Sequence, residues 1–134
     1  MYRILVRRLG PALVFLLLGV GCGGRSTDDW IGQMQAKDSA QRLRAIKALS
    51  ERTAEADEII PVLIKSLKDE DSFVRRDAAQ ALGRFGTAAQ IAVPALLSLA
   101  RTRPAPDGKA ALGALKQIDP AAAAKAEMGD DSPQ

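Results

Sequence analysis

A spacing of 33 residues constrains this chain more than any other feature. Pro61, Leu63, Ile64 and Leu67 return as Pro94, Leu96, Leu97 and Ala100, and Trp30, Ile31 and Met34 stand one period before Leu63, Ile64 and Leu67. Asp38, Ser39, Ala45, Ala48 and Leu49 return as Asp71, Ser72, Ala78, Ala81 and Leu82. The last three return again as Ala111, Ala114 and Leu115. A unit of this size cannot bury its apolar face alone, so successive units must stack. Such stacks offer long surfaces to other macromolecules and seldom carry chemistry.

Within each period the apolar spacing is helical. Ile60, Leu63, Ile64 and Leu67 follow i, i+3, i+4, i+7, one stripe on a helix over about residues 58–68. Asp71 or Ser72 is placed to cap a second helix that presents Val74, Ala78, Ala81, Leu82 and Phe85 on one side. Gly86 is placed to end it in a left-handed conformation, and Thr87 to cap the next. Period-two alternation does not persist, so the chain reads as all-α. Three antiparallel helix pairs are expected, roughly 28–36 with 39–53, 58–68 with 72–85, and 88–101 with 108–118. Pro61 and Pro94, at equivalent positions, imply that each first helix begins or bends there. Asp119-Pro120 and the alanines after it suit one last short helix, and from Gly129 onward the composition implies a disordered tail.

The run Asp71-Ser72-Phe73-Val74-Arg75-Arg76-Asp77-Ala78-Ala79-Gln80-Ala81-Leu82-Gly83-Arg84-Phe85-Gly86 resembles the second helix of HEAT repeats, especially the short bacterial HEAT-like form. Ile60-Pro61-Val62-Leu63-Ile64 resembles the proline-bearing first helix. The resemblance covers about two thirds of the chain and implies a short α-solenoid. It also implies a ladder of bonds between neighbouring repeats, carried over to Asp71 with Arg75 and to Asp38 with Arg42. The third unit departs, with Pro104 and Gly108 where Asp and Arg are expected, and is read as a terminal cap.

The second helices of HEAT arrays line a concave surface. Their polar residues outside the stripe are Arg44, Lys47 and Glu51, then Arg76, Gln80 and Arg84, then Lys109, Lys116 and Gln117. Of these, Lys47, Arg76, Gln80, Arg84, Lys109 and Lys116 are the candidate partner-binding face, suited to an acidic segment or anionic head groups. A solvated face that keeps the protein soluble is the plainer reading. Trp30 is expected to cover the open end of the apolar stack.

The first residues read as an address. Arg3, Arg7 and Arg8 without an acid, then the apolar run Leu9 to Val20, match a secretory signal too short for a comfortable transmembrane helix. Leu18-Gly19-Val20-Gly21-Cys22 resembles the lipobox of bacterial lipoproteins, which implies a lipid on Cys22. The match departs at Gly19, where the family usually has Leu, and Gly19 and Gly21 also suit ordinary signal-peptidase cleavage. Cys22 is the chain's one cysteine, and an exported protein would otherwise carry a free thiol in an oxidising compartment. The expected organisation is a signal peptide over 1–21, the lipidated cysteine and tether over 22–28, repeats over 29–118, and an Ala-rich segment with its tail over 119–134. By the same resemblance Gly23 favours the outer membrane over the inner. From Gly23 to Asp28 the tether reaches about 20 Å at most.

Charge and composition exclude several classes. The chain has 19 basic and 16 acidic residues, and removal of Arg3, Arg7 and Arg8 leaves the mature part formally neutral. That balance does not suit a nucleic-acid binder. The absence of histidine removes triads, common zinc sites and imidazole acid–base chemistry. Asp69-Glu70-Asp71 lacks the spacing of a calcium loop and reads as a solvated turn. No enzyme activity, cofactor or metal is expected. The expected function is a membrane-anchored envelope scaffold for a membrane-associated protein. Two alternatives stand: a structural protein without a lipid, and, from the resemblance of some HEAT-like proteins to bilin lyases, an enzyme or enzyme subunit. Export and the small number of repeats argue against the latter.

Overall fold

The computed structural model describes residues 24–102 and 106–129, so Cys22 and the whole signal segment lie outside the described residues. Seven α-helices follow in order: α1 (Thr27–Gln33), α2 (Ser39–Ser50), α3 (Ala56–Ser66), α4 (Ser72–Arg84), α5 (Val93–Thr102), α6 (Asp107–Ile118) and α7 (Pro120–Met128). Two 3₁₀ segments, Thr53–Glu55 and Gly86–Ala92, lead into α3 and α5. The helices pair as α1 with α2, α3 with α4, and α5 with α6, while α4 packs on both α2 and α6. The chain is a short all-α solenoid with α2, α4 and α6 as its inner layer.

Helix starts follow from short side chains that satisfy free amides. Ser26 and Asp29 form a reciprocal capping box at α1. Asp38 accepts from the Ala40 amide at 3.0 Å, Asp71 from Phe73 at 2.8 Å, and Asp119 from Ala121 and Ala122 at 3.1 and 3.0 Å. Gly86 carries φ of 55°, the left-handed turn expected after α4. Thr87, expected as a cap, lies inside the 3₁₀ segment Gly86–Ala92, which starts without a side-chain cap.

The two prolines resolve differently. Pro94 is the second residue of α5, where a missing amide costs little. Pro61 lies inside α3, so the carbonyl four residues earlier, on exposed Asp57, loses its helical donor to solvent. The single helix expected over 88–101 is therefore a 3₁₀ segment followed by α5, and the helix expected over 28–36 ends at Gln33.

Leu49, Ile59, Leu63, Val74, Leu82, Leu96 and Leu115 are fully buried and run through the stack. Each such side chain contributes about 1.5–3 kcal/mol through burial. Gly83 sets the spacing of the inner layer. A Cβ there would stand 3.1 Å from the Ala114 Cα, so glycine lets α4 approach α6. Trp30 packs against the core at the first unit, with the Arg25 guanidinium 5.1 Å above its ring. The far end is closed by α7, which packs on α6 and α5 and buries Ala123. The terminal cap is thus α7, and the third unit is a regular member of the stack.

Candidate functional site

Arg42 and Arg75 occupy equivalent places and make equivalent bonds. Arg42 Nη1 donates to the carbonyls of Ala36 and Lys37 at 2.7 and 3.0 Å, and Arg75 Nη1 to those of Asp69 and Glu70 at 2.7 and 2.9 Å. Each guanidinium closes the turn inside its own unit and then reaches the next. Arg42 Nη2 donates to Asp69 Oδ1 at 2.9 Å, and its Nε forms an ion pair with Oδ2 at 2.9 Å. Arg75 Nε donates to Asp107 Oδ2 at 2.7 Å, with both side chains buried. The hydrogen bond to Asp69 raises the Arg42 pKa further above the guanidinium range.

The ladder between units therefore runs through Asp69 and Asp107, not through Asp38 and Asp71. Asp38 and Asp71 cap their helices. Ser39 and Arg42 also act on Asp71 across the unit boundary. Its carboxyl is held below the usual range by the Phe73 amide first, with Ser39, Val74 and Arg42 adding to the effect. Asp69 is not a solvated turn residue, because its side chain is 14% exposed, whereas Glu70 beside it is 86% exposed. One period after Asp69 stands Thr102, and Asp107 supplies the missing acid from the first turn of α6. The period did not mark Asp107, because Val74 holds the equivalent position one period earlier. A signal was nevertheless present, since Arg75 requires some acid from the following unit.

The inner layer forms a groove of about 810 Å³ along α2, α4 and α6. Lys47, Arg76, Gln80, Arg84 and Lys109 line it, as does Arg44. Lys116 does not; its ammonium is turned to Glu127 of α7, 2.6 Å away. Asp77 enters the groove instead and pairs with Arg76 at 2.8 Å. Arg84 is steadied by donating to the Ser50 hydroxyl at 3.1 Å. Among the described residues, Arg44, Lys47, Arg84 and Lys109 have no carboxylate partner. Five bases and one acid thus face the groove, a positive concave surface whose only acid is already paired. Phe73, 53% exposed, stacks with the Arg76 guanidinium 5.0 Å from its ring.

Near the start of the chain, Arg52 holds the entry to α1. Its Nη1 donates to the Thr27 hydroxyl at 2.9 Å and its Nη2 to the Arg25 carbonyl at 2.7 Å. Among the described residues, no group of three His, Cys, Asp or Glu is placed to hold a metal ion. No helix among them is long and apolar enough to cross a membrane.

The family model for HEAT repeats matches residues 27–116, from the first helix into the last turn of α6. The chain belongs to the HEAT-repeat family. No curated protein matches it. As a HEAT-repeat protein it is a helical scaffold whose repeats offer an extended surface, and the groove gathers four cations without a carboxylate partner on one part of it.

Proposed function

We propose that this HEAT-repeat protein is a lipid-anchored lipoprotein of the bacterial envelope whose repeats hold a membrane-associated protein partner. The observation that carries the scaffold role is the groove of α2, α4 and α6, with four cations lacking a carboxylate partner. Three arginines outside the groove are taken up by structure: Arg42 and Arg75 join units, and Arg52 binds the chain entry. The reading includes no catalytic role, since the histidine-free chain supplies no general base of the usual kind.

Support for the anchor comes from the sequence, in the cationic and apolar start followed by Gly19-Val20-Gly21-Cys22. Two residues, Gly23 and Gly24, separate Cys22 from Arg25, whose carbonyl Arg52 holds. That interval spans about 10 Å at most, which keeps an anchored domain beside the bilayer. The outer membrane, facing the periplasm, is the favoured location on the identity of Gly23.

Labelled palmitate should enter the wild type and not Cys22→Ala, and the mature protein should begin at an acylated Cys22. Crosslinking in the native host, with mass spectrometry, should then join the repeats to a membrane-associated protein. An unmodified Cys22 thiol in the exported protein would sink the anchor. Crosslinks to soluble proteins alone would sink the membrane-associated partner.

A further inference from the structure

We infer that the groove receives an acidic segment of the protein partner, seated by an apolar side chain placed over Gly113. The inference rests on the scaffold reading above and adds the chemistry of what is held.

The floor of the groove carries the first argument. Gly113 lies in the interior of α6, where glycine is less favourable than alanine. Gly83 has a packing reason for being glycine, because its Cβ would meet the Ala114 backbone at 3.1 Å. Gly113 has none: a Cβ there meets nothing within 4 Å. The residues one and two periods earlier are Gln80 and Lys47, so the other two inner helices fill the position that α6 leaves open. With Ala110 and Ala114 beside it, Gly113 leaves a dent of small side chains in an otherwise long-chained surface.

The rim carries the second. Arg44, Lys47, Arg84 and Lys109 surround this floor without a carboxylate of their own, and Asp77 is engaged by Arg76. A segment entering a positive groove must bring negative charge, or the desolvated cations oppose it. Beside the groove, exposed Phe73 stacks on Arg76, an aromatic and an arginine of the kinds enriched at protein interfaces. The concave shape selects the class of partner. A bilayer surface is nearly flat and cannot reach the floor, whereas a single polypeptide segment can. Inner helices packed 8–10 Å apart make the groove roughly 20 Å across, the length of about 13 helical residues.

The test uses the full chain in detergent and a labelled synthetic peptide of Glu, Leu and Ala, about four helical turns long. A second peptide carries Lys in place of Glu. Fluorescence anisotropy should show the acidic peptide binding at least about tenfold tighter than the basic one, about 1.4 kcal/mol. Arg76→Glu with Arg84→Glu should weaken it by roughly tenfold or more, and so should Gly113→Leu, which fills the dent. Gly113→Ala, which keeps most of the dent, and Lys125→Glu, which lies outside the groove, should bind within about twofold of the wild type. Circular dichroism confirms that each variant is folded. Equal affinity for the two peptides, or undiminished binding by folded Gly113→Leu, overturns the inference. So does displacement of the acidic peptide by anionic phosphatidylglycerol vesicles or by a single-stranded oligonucleotide, because the groove would then serve another class of ligand. A partner crosslinked in the host equally by wild type and by these groove variants defeats the inference alone. It leaves the scaffold reading standing on another surface.

Discussion

Asp107 offers the sharpest check on how the repeats are joined. Asp107→Ala removes the acid that meets Arg75 Nε at 2.7 Å, with side chains 8% and 4% exposed. Removing one partner of a buried pair leaves an uncompensated charge and typically costs about 3–5 kcal/mol. Arg75 keeps its bonds to the carbonyls of Asp69 and Glu70, which places the expected cost near the lower end, about 3 kcal/mol. Asp71→Ala removes chiefly a helix cap and should cost about 0.5–2 kcal/mol. A domain of this size has a total stability of roughly 5–15 kcal/mol, and each kcal/mol moves its melting temperature by about 4–8 °C. The two variants should therefore separate clearly in urea titrations followed by circular dichroism. Replacing both partners, Arg75→Met with Asp107→Leu, should cost less than Asp107→Ala alone, because no unpaired buried charge remains. Asp71→Ala proving as damaging as Asp107→Ala would refute the reasoning, since the ladder would then pass through Asp71.

Other perturbations probe the stack and the chain entry. Leu82→Ala, at a fully buried position, should cost roughly 2–5 kcal/mol, against about 0.5 kcal/mol or less for exposed Lys68→Ala; comparable urea midpoints would contradict the assigned packing. Gly83→Val should destabilise by about 1–3 kcal/mol in the same titration, because its side chain drives into the Ala114 backbone. The carboxyls of Asp29, Asp71 and Asp119 are depressed chiefly by the amides of Ser26, Phe73 and Ala122 respectively. Their contribution is thus fully present above the unfolded value of about 4 and is lost as pH falls through the lower folded values. Urea midpoints should accordingly drop on acidification below that range, and a flat profile would contradict the capping assignment. Arg52→Ala frees the Arg25 carbonyl, so trypsin should cut after Arg25 several-fold faster than in the wild type; an unchanged rate would mean that Arg52 does not hold the entry.

The fold was legible because burial and period agree. Val74, Ala78, Ala81, Leu82 and Phe85 all lie buried on the stripe that their spacing describes, and Gly86 adopts the left-handed turn. The limits of legibility are physical. A helical period fixes which face is buried but not which of two neighbouring acids a guanidinium reaches. Asp69 and Asp71 differ by two residues and face differently, one into the unit boundary and the other onto its own helix start. Lys116 shares its helix with Lys109, yet it turns to α7, whose docking the repeat period did not contain. Five of the six residues expected on the partner face do line the groove, because position on a helix settles direction when no later element competes for the side chain.

The chain entry and the groove meet at one end of α2. Arg52 holds Arg25 and Thr27 just beyond that helix, while Ser50, its last residue, accepts from Arg84 inside the groove. With the proposed lipid on Cys22, this end of the groove stands nearest the bilayer, and Lys109 at the start of α6 stands nearer the other end. Antiparallel pairing sends the second helices in one direction, so their C-terminal ends all lie on the side of the chain entry. On the proposed anchor and acidic partner, a segment close to the partner's membrane attachment would meet Arg84 first, and one far from it would have to loop back to enter. Arg52 thereby sets where the chain enters relative to the groove, and under the proposed anchor that places the Arg84 end toward the bilayer.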